Sequence, residues 1–112
     1  DDVVETGASF WLTATATGVS IAPDENERIE FLKQTGLSTT NYASDRLAAL
    51  ANRNGFRFVA LAPALRSIAV RDKVDFEGFA ENLDVPGHWN RNGHRVVANT
   101  LTDDICHRYS AE

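Results

Sequence analysis

Two stretches of this chain read as β-strands, and two helical segments lie between them. Ser9 to Thr15 (Ser-Phe-Trp-Leu-Thr-Ala-Thr) and Phe56 to Leu61 (Phe-Arg-Phe-Val-Ala-Leu) are rich in aromatic and β-branched residues. Such side chains fit a pleated, half-buried surface. Strands alternating with helices argue for parallel βαβ units whose sheet is covered on both faces. The chain is therefore expected to be α/β. With 112 residues it holds one domain, 1–112, on the small side for an independent core.

The helix signals are local. Pro23-Asp24 opens the first helix, Glu27 stands in capping-box spacing to Asp24, and Gly36 closes the segment. Ile29 and Leu32 supply its narrow apolar side, while Glu25, Glu27, Arg28, Glu30 and Lys33 are expected to face water. A second helix is predicted from about Asn41 to Asn52, with Ala43, Leu47, Leu50 and Ala51 on one face and Gly55 as its stop. The second strand leads through Ala62-Pro63 into a short helix with Leu65, Ile68 and Ala69 inward. From Arg71 to Pro86 the pattern fades into a loop anchored by Phe76 and Phe79, with Gly78 as a turn. A last helix, roughly Arg91 to Arg108, carries Val97, Leu101, Ile105 and Tyr109 four residues apart.

Two strands alone make a poor parallel core. The pattern matches the C-terminal part of a three-layer α/β/α domain, its first strands missing or supplied by another chain. Association with a copy of itself, or with a missing N-terminal half, is the expected consequence.

Composition narrows the function classes. Apolar residues at 43% and charged residues at 24% argue against disorder. The net charge is −5 and the eleven Lys and Arg are scattered, so nucleic acid is not an expected partner. The longest apolar run falls far short of a membrane span. No charged segment followed by an apolar one marks a signal peptide, and a chain beginning at Asp1 fits processing or a piece of something longer. The single cysteine, Cys106, excludes an internal disulfide, leaves the compartment open, and reads as a small buried hydrophobe.

The stretch Gly87-His88-Trp89-Asn90-Arg91-Asn92-Gly93-His94 carries the chemistry. Asn90 is a good N-cap for the last helix, which places His88 in the loop just before it. A histidine held by a turn yet accessible suits a general base. The block, with His88, Trp89, Asn90, Gly93 and His94 in register, resembles the last conserved block of the SGNH (GDSL-type) ester hydrolases. More loosely, Tyr42 to Leu50, Gly55 to Leu65 and Phe76 to Phe79 look like the closing strand and flanking helices of that family. The resemblance spans about Phe10 to Arg108.

The resemblance implies a flavodoxin-like three-layer fold and serine acyl transfer on carboxylic esters, with no cofactor and a small-molecule ester as substrate. His88 takes the position of the catalytic base. The family's orienting aspartate lies three residues before that histidine, where this chain has Val85; the nearest carboxylate is Asp84, one residue further back. Pro86 and Gly87 could make the compensating turn, which leaves Asp84 as the orienting candidate beside its reading as a solvated loop carboxylate. The family's Gly-Asp-Ser and Gly-x-Asn-Asp blocks do not occur here, and Ser9, Ser20, Ser38, Ser44, Ser67 and Ser110 all lack that context. The nucleophile is therefore expected outside this chain.

Blander readings stand beside these. In the resembled motif, His94 supports the loop and is structural. His88, His94 and Asp84 could in principle bind zinc, but their spacing matches no zinc signature, so no metal is expected. His107 is expected to face solvent, and Trp11 and Trp89 to pack. The alternative to an esterase is a non-catalytic α/β binding or scaffold module that keeps the His-Trp-Asn loop for structural reasons.

Overall fold

A computed structural model describes residues 5–78 and 87–110. Strands β1 (Trp11–Ala14) and β2 (Arg57–Ala60) lie side by side and parallel, with Trp11 opposite Arg57 and Ala14 opposite Ala60. The Thr13 hydroxyl donates to the Val59 carbonyl at 2.9 Å. At the entry to the sheet, the Phe10 and Phe56 rings meet edge to face at 5.4 Å, and the Arg57 guanidinium lies 5.8 Å from the Trp11 ring centroid. Such ring and cation–ring contacts hold two adjacent strand ends in register.

A 3₁₀ turn (Gly18–Ser20) follows β1, and four α-helices complete the described residues: α1 (Glu25–Thr35), α2 (Tyr42–Asn54), α3 (Leu61–Asp72) and α4 (Arg91–Tyr109). The chain is thus α/β, in the order β, α, α, β, α, α.

The helix ends follow from local chemistry. The Asp24 carboxylate accepts the Asn26 N–H at 2.9 Å, and Glu25 and Glu27 add negative charge to the first turn of α1. Gly36 and Gly55 end α1 and α2 at φ of 68° and 72°, which costs a residue without a Cβ nothing. Helix α3 begins at Leu61, directly where β2 stops, so Leu61 joins the helix and not the strand. Pro63 then falls in the first turn, where its missing N–H has no intrahelical partner to lose.

The core gathers Ala16, Ile21, Val59, Leu61, Ala62, Leu65, Ala69, Phe76 and Val97. Leu65 and Ala69 of α3 are fully buried against Val97 and half-buried Leu101 of α4. Helix α2 packs on β2, and α1 leans on the 3₁₀ turn.

Several expectations change here. Arg28 is buried and not solvent-facing: its guanidinium donates to the Ala22 carbonyl at 2.6 Å, stapling α1 to the segment that enters it. Its long apolar stem makes that burial tolerable, because only the charged head needs polar partners. Ile29, meant for the apolar side of α1, is 45% exposed. Cys106 is exposed, because burial along α4 fades from Val97 at 8% to Ile105 at 36% and the last turns leave the core. Phe76 is buried as expected, while Phe79 lies outside the described residues. Among the described residues, no helix is long and apolar enough to cross a membrane.

Among the described residues, β1 has β2 on one side and no strand on the other. A row of edge N–H and C=O groups is a template for further pairing. The isolated chain is expected to self-associate or to unfold at low urea concentration. Light scattering for molar mass, with a urea titration, checks this; a monodisperse monomer of high stability would contradict it.

Candidate functional site

The site is built from the start of α4 outward. The Asn90 side-chain oxygen accepts the N–H groups of Asn92 and Gly93, both at 3.0 Å, satisfying two donors that have no partner within the helix. The other end of the same amide donates to the carbonyls of Asp75 at 3.0 Å and Glu77 at 3.2 Å, and the Asn90 backbone N–H donates to the Phe76 carbonyl at 2.8 Å. One side chain therefore caps α4 and clamps it to the segment that follows α3.

Gly93 sits where that clamp brings the backbones together. A Cβ at this position would lie 2.6 Å from the Phe76 carbonyl oxygen and 3.0 Å from the Trp89 Cβ. Its role is close approach, not unusual backbone angles.

Trp89 reaches further. Its indole N–H donates to the Ala16 carbonyl at 2.7 Å, tying the loop before α4 to the chain that leaves the carboxyl end of β1. Its backbone bridges Glu77 in antiparallel fashion, and the His94 ring packs on the indole edge to face with 5.6 Å between centroids.

His88 stands exposed between Gly87, at φ 93°, and Trp89, and its carbonyl accepts the Gly78 N–H at 3.1 Å. The half-buried Glu77 reaches toward the same loop. Its two carboxylate oxygens each accept the Gly18 N–H at 2.9 Å, and Oε1 also accepts the Gly87 N–H at 3.2 Å. The sequence offered no signal for Glu77, since its partners are backbone groups far along the chain.

Asp84 lies outside the described residues. Ser20 belongs to the 3₁₀ turn drawn toward Gly87, and its hydroxyl donates to the Thr17 carbonyl at 2.7 Å. Ser38 is exposed between α1 and α2. Among the described residues, no three His, Cys, Asp or Glu side chains gather where they could hold a metal ion. His107, exposed on α4, borders an open depression of about 480 Å³ with Asp103, Asp104 and Phe58, between the distal half of that helix and β2.

Comparison of the chain with protein-family models, with curated proteins and with solved structures finds no match.

Two substitutions test this geometry. Asn90→Ala removes cap and clamp together and is expected to cost about 2 kcal/mol, the upper end for a lost N-cap. Gly93→Ala would ordinarily stabilise a helix by up to about 1 kcal/mol. Here the blocked approach to Phe76 is expected to reverse the sign, to a loss of roughly 1–3 kcal/mol. Urea midpoints measure both; a Gly93→Ala protein as stable as the parent would contradict the docking.

Proposed function

We propose that this chain is the C-terminal portion of an SGNH-type hydrolase of carboxylic esters, folded as a three-layer, flavodoxin-like α/β/α domain. His88 is its general base, and the serine and oxyanion donors come from residues outside these 112. One observation carries the reading beyond the motif. The Trp89 bond to Ala16 sets the His88 loop at the carboxyl end of β1. Open α/β sheets assemble their sites outside the carboxyl ends of the strands.

The chemistry divides into two acyl transfers. The serine oxygen attacks the ester carbonyl carbon while His88 takes its proton, and the tetrahedral oxyanion is held by N–H donors. Collapse breaks the bond to the alcohol oxygen, and His88 returns the proton to that leaving group. Water, deprotonated by His88, then attacks the acyl-enzyme and frees the carboxylic acid and the serine. Asp84 is the carboxylate best placed in sequence to orient the imidazole. His88, exposed on a tied loop, suits a base that must meet a substrate from solvent. No step needs a cofactor.

One set of contacts favours a second reading. Trp89, Asn90, Gly93 and His94 each have a packing or hydrogen-bonding task. A non-catalytic α/β binding or scaffold module would keep them too, with His88 as a surface residue.

Kinetics separate the two. In the protein that carries this chain together with its nucleophile, His88→Ala is expected to lower kcat on a short-chain aryl ester by roughly three to six orders of magnitude. His94→Ala should change kcat little and act through loop stability. The 112-residue chain alone is expected to show no serine-dependent turnover. Unchanged kcat in His88→Ala would leave the scaffold reading.

A further inference from the structure

We propose that Glu77 is the positioning residue of the His88 loop. This deepens the reading of His88 as general base and rests on that reading for its catalytic consequence. The loop contains a glycine at φ 93° immediately before His88, and the turn opposite contains Gly18 at φ 57°. Glycine admits such angles without strain but does not hold them, so something else must fix both turns. The Glu77 carboxylate meets both. It accepts the Gly18 N–H with both oxygens at 2.9 Å and the Gly87 N–H with Oε1 at 3.2 Å.

A carboxylate is the group such a position calls for. It is acceptor-only and has lone pairs enough for all three contacts. Its charge shortens and strengthens bonds from backbone N–H groups. Glutamine would turn an NH₂ toward one of these donors.

The backbone of Glu77 is itself held, which gives the carboxylate a fixed base. Its N–H donates to the Asp75 carboxylate at 2.9 Å, its carbonyl accepts from the Asn90 amide at 3.2 Å, and it bridges Trp89. His88 is then tied on both sides. Ahead of it, the Gly87 N–H is held by Glu77; behind it, its own carbonyl accepts from Gly78. Glu77 touches no reacting atom in this account and acts through the backbone of Gly87.

The test reads the loop directly and catalysis separately. In the protein that also carries the nucleophile, nitrogen-15 labelling of glycine includes seven amide signals from this chain. Long-range couplings through the hydrogen bonds, from the Gly18 and Gly87 amides to Glu77 Cδ, are expected in the unmutated protein. In Glu77→Gln the Gly18 and Gly87 amide protons should both move upfield while Gly36 and Gly55, in distant helix caps, stay in place. In the protein that also carries the nucleophile, Glu77→Gln should lower kcat by about 10- to 100-fold, the scale of a base displaced by an ångström or less, with KM little changed. Glu77→Asp, which keeps the charge on a shorter arm, should recover part of the loss. Absent couplings, or a Gly87 signal that ignores the substitution, would overturn the proposal however the kinetics fall. An unchanged kcat in Glu77→Gln, where His88→Ala is inactive, would also overturn it. If His88→Ala keeps its activity, the general-base reading fails while the amide signals still decide what Glu77 holds.

Discussion

The side-chain amide of Asn90 is the contact on which the rest of this structure depends. Its oxygen supplies acceptors to the first turn of α4, and its nitrogen reaches two carbonyls of the segment after α3. A hydroxyl or carboxylate could cap the helix as well, but neither presents two N–H donors on the far side. The clamp sets how closely α4 approaches Phe76, and that approach is why position 93 is glycine. It also fixes where the chain at Trp89 approaches the helix, and so whether the indole meets Ala16. The apolar contact of Val97 with the core then follows along the same helix.

Energetically the site and the core are one unit. Phe76 is 2% exposed and belongs to the hydrophobic cluster, while its carbonyl takes the Asn90 N–H. Burying Phe76 removes apolar surface from water, and pairing its carbonyl avoids the cost of an unsatisfied buried acceptor. These contacts hold residues 87–90 to the core while His88 stays exposed. The sheet is less complete. Among the described residues two parallel strands bury little, and the edge of β1 not paired with β2 is where a further strand would add most.

What the sequence made readable was mostly local. Asp24, Gly36, Gly55 and Asn90 announced helix ends because a cap is decided by its own side chain and the next few residues. Both strands were readable for the same reason, although β2 gave up Leu61 to α3 once the chain turned immediately into a helix. Arg28 reads as solvent-facing in the sequence because its acceptor, the Ala22 carbonyl, comes into reach only after the entering segment folds back on α1. Cys106 reads as buried but is exposed, because helical periodicity says which face is apolar and not where along the helix the core ends. Glu77 gave no signal at all: its partners, Gly18 and Gly87, are backbone groups that carry no pattern. Asp84, named from its spacing to His88, lies outside the described residues.

The central claim is that His88 serves a serine that this chain does not contain. The most direct measurement treats the protein that carries these residues and its own upstream sequence with a fluorophosphonate probe, then locates the label by peptide mass. The account predicts a single labelled serine outside residues 1–112, and loss of labelling in His88→Ala. A label on Ser20, Ser38 or any other serine of this chain, or labelling that is indifferent to His88, would contradict it.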